Sequence, residues 1–160
     1  MKAPLRSLLF LLTGLTTLHA DPISLFDGKT LEGWDYNEKI WRVEDGVITG
    51  GSTTQKIKTN YFISTKQSFQ NFELKLTIKC SGDPTTGLIN SGIQIRSQRA
   101  GGERISGYQV DCGDKWFGKI YDEHRRNKPI AMPVDEAALS KVIDTFGWND
   151  YRIRAEGTRI

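Results

Sequence analysis

The 160-residue sequence predicts an all-β fold, a β-sandwich of two antiparallel sheets, on three observations. Apolar side chains at Phe72, Leu74, Leu76, Ile78 and Cys80 alternate with Glu73, Lys75, Thr77 and Lys79, the period-two signature of a half-buried strand. Shorter alternating runs recur along the chain, and 16 glycines and 5 prolines punctuate them. Regularly spaced short strands joined by glycine-rich turns point to a jelly-roll connection of the two sheets. The length suits one domain, and a charged fraction of 26% beside 10% aromatics excludes a disordered chain.

Taken in order, residues 1–20 read as a secretory signal peptide. Lys2 and Arg6 precede the apolar run 8–12, and the segment closes on His19-Ala20 before Asp21. That run falls far short of the about 20 residues needed to span a membrane, so the expectation is an exported protein, periplasmic or extracellular, with a domain over residues 21–160. Lys2 and Arg6 supply two of the three excess positive charges of the +3 chain. The remainder is nearly neutral, which removes the electrostatic case for a nucleic-acid partner.

Strands are expected at residues 41–43, 47–49, 61–64, 72–80, 92–97, 107–112, 117–121 and 151–155, with turns at 44–46, 81–84 and 100–102. Residues 135–143 offer the one helical pattern, a short excursion outside the core. The final residues 152–160 read as a strand, a turn and the start of a further strand, so the pattern predicts that the domain is incomplete and the sequence continues beyond Ile160. Cys80 and Cys112 close two alternating patterns; a disulfide and a pair of buried thiols are both open readings. His124 is the one histidine after residue 20 and no cysteines show ligand spacing, so neither a metal nor another cofactor is expected.

Alternation places the candidate site. Ile93 and Ile95 face one way while Gln94 and Arg96 face the other; Gln109 and Asp111 oppose Tyr108, Val110 and Cys112. If the two strands are neighbours, Arg96, Gln109 and Asp111 share the middle of a sheet, either as a groove for hydroxyl groups or as an ordinary solvated face. The stretch 115–127 gathers Trp116, Tyr121, Glu123 and His124 with two arginines. Carboxylates near a histidine are candidates for proton transfer, and aromatic faces match the C–H bonds of a sugar ring. A charged surface loop with buried aromatics is the plainer alternative for that stretch.

The same residues resemble a known family, the 3-keto-disaccharide hydrolase domain. The resemblance runs through Leu25-Phe26-Asp27-Gly28, Gly33-Trp34, Trp41-Arg42-Val43-Glu44-Asp45-Gly46, Phe69-Gln70-Asn71-Phe72, Asn90-Ser91-Gly92-Ile93 with Arg96, Gly107-Tyr108-Gln109 with Asp111, and Gly147-Trp148-Asn149. It implies a concanavalin-like jelly-roll holding a carbohydrate substrate on its concave face, and cleavage of glycosides already oxidised at C3. It further implies Arg96 and Gln109 as groove residues, Asp111 and Glu123 for acid and base work, His124 as a third candidate, and Trp116 and Tyr121 as ring contacts. A non-catalytic carbohydrate-binding module using the same groove is the alternative.

Overall fold

The computed structural model describes residues 21–83, 85 and 89–160. The proposed leader, residues 1–20, and residues 84 and 86–88, including the end of the turn expected at 81–84, lie outside them. The elements in chain order are β1 (Trp34–Asp35), β2 (Trp41–Glu44), β3 (Val47–Gly50), β4 (Ser64–Thr65), β5 (Phe72–Ile78), β6 (Asn90–Arg99), β7 (Ile105–Gly113), β8 (Ile120–Glu123), β9 (Pro129–Ala131), α1 (Glu136–Ser140) and β10 (Asn149–Ala155). All strand pairing is antiparallel: β6-β7-β8-β9 form the main sheet, β5 pairs with β10, and β2–β3 and β1–β4 form small ribbons. The protein is a nearly all-β antiparallel sandwich, compatible with jelly-roll connectivity. No helix among the described residues is long and apolar enough to cross a membrane.

The sequence pattern dictates the best-defined pieces. Along β5 half-buried Phe72, Leu74, Leu76 and Ile78 alternate with exposed neighbours, and β10 repeats this with Tyr151, Ile153 and Ala155 turned inward. The register sets Tyr151 opposite Leu76 and Ile153 opposite Leu74, so the two apolar rows form one face. The β2–β3 hairpin closes on Asp45-Gly46, both at positive φ (51° and 75°), the two-residue turn whose twist matches its strands.

The sheets meet in a small core of Cys80, Ile89, Cys112 and Phe117, with Ile78, Ile143 and Tyr151 packed against it. Full burial of a side chain such as Ile89 contributes about 1.5–3 kcal/mol. The Cys80 and Cys112 sulfurs lie 3.4 Å apart as two thiols, and the Tyr151 hydroxyl donates to the Asp111 carbonyl (3.0 Å), a further tie between the sheets.

Three expectations shift. The strand expected at 117–121 runs over Ile120–Glu123 instead, because residues 114–118 form a turn with Lys115 (φ 61°) and Gly118 (φ 75°) in left-handed conformation. The strand expected at 61–64 reduces to Ser64–Thr65. Two short strands, β1 and β9, carry too few residues for a periodic signal. The excursion at 135–143 contains α1, capped by the Asp135 side chain accepting from the Ala138 N–H at 2.8 Å. After β10 the chain turns at Gly157-Thr158 and Glu156 bridges Arg159, the expected strand and turn.

Candidate active site

Register fixes which side chains share a face of the main sheet. Gly92 lies opposite Asp111, Gln94 opposite Gln109, Gln109 opposite Tyr121, and Gly107 opposite Glu123. One face therefore carries Gln94, Gln109, Asp111, Tyr121 and Glu123. The other carries Ile93, Ile95, Tyr108, Val110, Cys112, Ile120 and Asp122, and packs in part toward the second sheet.

The polar side chains on the first face are joined in series. Ser97 Oγ lies 2.7 Å from Gln94 Oε1, Gln94 Nε2 donates to Gln109 Oε1 (3.0 Å), and Gln109 Nε2 donates to Asp111 Oδ1 (2.7 Å). Asp111 is 1% exposed, and its second oxygen, Oδ2, is covered without a hydrogen-bond partner. Burial raises the Asp111 pKa to about 6; the Gln109 hydrogen bond pulls it down, the Glu123 charge adds to the rise, and the Lys119 ammonium opposes it. A carboxylate taken from water with one oxygen unpaired favours its neutral form, and the result is a group that exchanges a proton near neutral pH.

Around it, Tyr121 packs edge-on to Trp116 with ring centroids 6.2 Å apart, and the Lys119 ammonium sits 5.1 Å from the Trp116 ring. Burial, then the Glu123 and Asp111 charges, push the Tyr121 hydroxyl upward. At the end of β8, His124 Nδ1 lies 2.8 Å from the Ile105 carbonyl and 3.1 Å from Glu123 Oε1. Both neighbours are acceptors, so Nδ1 carries the hydrogen that meets them.

The structure thus brings Gln109, Asp111, Tyr121 and Glu123 onto one face, with Trp116 and His124 at its border. It separates Arg96 from them. Between Ile95 and Gln98 the register slips by one residue, Arg96 takes a positive φ of 48°, and two residues of β6 oppose Gly107 alone. Arg96 leaves the alternation at this bulge. Its guanidinium donates to the carbonyls of Gly157 (2.6 Å) and Gln70 (3.1 Å) and to Asn71 Oδ1 (3.4 Å), tying the turn after β10 to the approach of β5. Two shallow clefts of about 410 and 420 Å³ open beside Arg96 and Gly157, and neither touches Asp111. With its donors spent on backbone oxygens, Arg96 is a structural tie there.

Three residues outside the expected set join the site: Gln94, Ser97 and Lys119. Alternation already put Gln94 beside Gln109; Ser97 reaches this face only through the bulge, which the sequence pattern does not signal. Asp122 lies on the opposite face, so the acidic trio Asp111, Asp122 and Glu123 is split between the two sides of the sheet.

A sheet face built around a buried carboxylate and bordered by aromatics and amides is the candidate site of this β-sandwich. Residues 21–160 match the profile of the 3-keto-alpha-glucoside-1,2-lyase-like domain, and the chain belongs to that family. Neither the curated proteins nor the solved structures contain a match to it.

Proposed function

We propose that the domain cleaves glycosidic bonds of 3-keto glycosides by base-assisted elimination followed by hydration. The observation that carries this is Asp111: a buried carboxyl with one oxygen held by Gln109, the other unpaired, and a pKa raised to about 6. A ketone at C3 acidifies the C2–H bond. Asp111 takes that proton, the electron pair forms the C2=C1 double bond as the C1–O bond breaks, and water adds back across the double bond. Lys119 stabilises negative charge on the keto oxygen as the proton leaves. The Glu123–His124 pair, beside the Gly107 end of β7, takes a proton from solvent onto the imidazole and passes it to the departing oxygen. Trp116 and Tyr121 hold the ring by its C–H faces. Oδ2 is closed to solvent, so this reading requires the side chains that cover it to move as the ring enters.

Asp111→Asn and Glu123→Gln, assayed separately on a 3-keto disaccharide, test the assignment. Each is expected to lower turnover by about 10²–10⁴ while retaining ligand binding. Parent-level cleavage by both variants would remove these residues from the chemistry. Binding of the disaccharide by the parent without cleavage would establish a carbohydrate-binding module on the same face. We further propose export, with residues 1–20 removed; N-terminal sequencing of protein recovered outside the cytoplasm is expected to begin at Asp21.

A further inference from the structure

We infer that Gln94 and Ser97 are positioning residues: they set the direction of the hydrogen-bond series along β6 and β7, so that Gln109 presents its amide nitrogen rather than its oxygen to Asp111. This rests on the assignment of Asp111 above. A primary amide has a donor end and an acceptor end, so two amides in series must run head to tail, and turning one requires turning the other. The series is Ser97 Oγ, Gln94, Gln109, Asp111 Oδ1, with separations of 2.7, 3.0 and 2.7 Å. When the Ser97 hydrogen is given to Gln94 Oε1, every later link donates toward Asp111, which suits an ionised carboxylate.

Ser97 Oγ also lies 2.9 Å from the Ile95 carbonyl, and a hydroxyl has a single hydrogen. Directed to Ile95, that hydrogen leaves Oγ as an acceptor for Gln94 Nε2, both amides reverse, and Gln109 Oε1 meets Asp111 Oδ1. Two acceptors then face each other unless the carboxyl carries the proton. The direction of the series and the proton on Asp111 are coupled: the forward series holds the base ready, and the reversed series accepts its protonated form.

The fold builds this arrangement at the bulge. Ser97 reaches the polar face because β6 carries its extra residue opposite Gly107, where a Cβ would stand 2.6 Å from Ser97 Cα. The other titratable groups facing Asp111 are Glu123 and Tyr121 from β8 and Lys119 from the preceding turn, with Cys112 next to it in β7 and Tyr151 of β10 bonded to its carbonyl. None of them is hydrogen-bonded to the Gln94 or Ser97 side chain, so neutral changes at those two positions leave this charge set intact.

The test uses the full chain with ¹³C-labelled aspartate and reads the Asp111 carboxyl titration by NMR, the signal assigned by its loss in Asp111→Asn. Ser97→Ala and Gln94→Met, both uncharged, are expected to move the Asp111 midpoint upward by about 0.5–1 pH unit, as Gln109 ceases to be held as a donor. Ser97→Thr, which keeps the hydroxyl, is expected to restore it. On a 3-keto disaccharide the acid limb of the pH–rate profile moves with the midpoint. A residue that merely stiffens the sheet would lower the thermal midpoint and leave the titration in place. An unchanged Asp111 midpoint in both folded variants overturns the inference, whether or not Asp111→Asn abolishes cleavage. Because the titration needs no substrate, a failure to cleave 3-keto glycosides leaves this outcome readable.

Discussion

Asp111 and Asp122 are both 1% exposed, lie on adjacent strands of one sheet, and have opposite surroundings. Asp122 is fully answered: Arg125 Nε reaches one oxygen at 2.5 Å and Arg126 Nη1 the other at 3.1 Å, while its backbone closes the turn through Lys128 and Asn127. The Arg125 guanidinium also stacks 4.3 Å from the centre of the Tyr108 ring. Asp111 has one neutral amide donor and an empty second oxygen. Burial alone therefore does not mark a reactive carboxylate. What distinguishes the two is that the turn after Asp122 folds Arg125 and Arg126 back onto its oxygens, whereas no cation bonds the Asp111 oxygens although Lys115 follows it by four residues.

The contrast is broken most severely at Asp122. Removing the carboxylate by Asp122→Ala takes the shared partner from Arg125 and Arg126 while the backbone bonds of the 122–128 turn remain, with an expected loss of about 1.5–3 kcal/mol by chemical denaturation. A loss below about 1 kcal/mol would show that the pair is no more than a surface contact.

Asp111→Asn is expected to act in the other direction. The folded pKa of about 6 lies above the ordinary 3.8, so the native state holds more protons than the unfolded chain between those values. Stability then falls as pH rises through that window and stays lowered above it. Asn at 111 removes the penalty: no difference is expected below about pH 4, and a gain of about 1–3 kcal/mol above about pH 7. Denaturation curves of parent and variant at pH 4 and pH 8 check the sign, and a destabilised variant at pH 8 would contradict it.

Gly92→Ala sharpens the same picture. A Cβ there would stand 2.4 Å from Gln109 Cγ, forcing that amide off Asp111. Overpacking of this kind is expected to cost about 1–3 kcal/mol and to lower turnover on a 3-keto disaccharide. The smallest effect is expected for Arg152→Ala, whose ion pair with Glu73 (2.7 Å) is exposed and screened by solvent. Thermal melts at low and high salt would show it.

Much of this was legible in the sequence. Strict alternation in β5, β6, β7 and β10 gave the sheets, the side each residue faces and the pairing of Gln109 with Asp111 on one side. The Asp45-Gly46 turn carried its own backbone requirement. Two features were not legible. Phe117 continues an apolar pattern, yet left-handed Lys115 and Gly118 fold it into a turn, and the strand starts three residues later. Arg96 obeys alternation on paper, but one unpaired residue reverses its side. Alternation counts residues and assumes that each has a partner across the sheet. A bulge violates that assumption without altering composition.

That bulge also acts as a sorting device for charge. Were β6 one residue shorter at this point, unbroken pairing would set Arg96 opposite Gly107 on the polar face, a neighbour of Glu123 and of the Gln94–Gln109 pair rather than of Asp111, which stands opposite Gly92. The inserted residue keeps Arg96 in the scaffold and leaves the Ser97 hydroxyl in its place at the end of the amide series. The polarity of this face is set by strand length as well as by which residues are encoded.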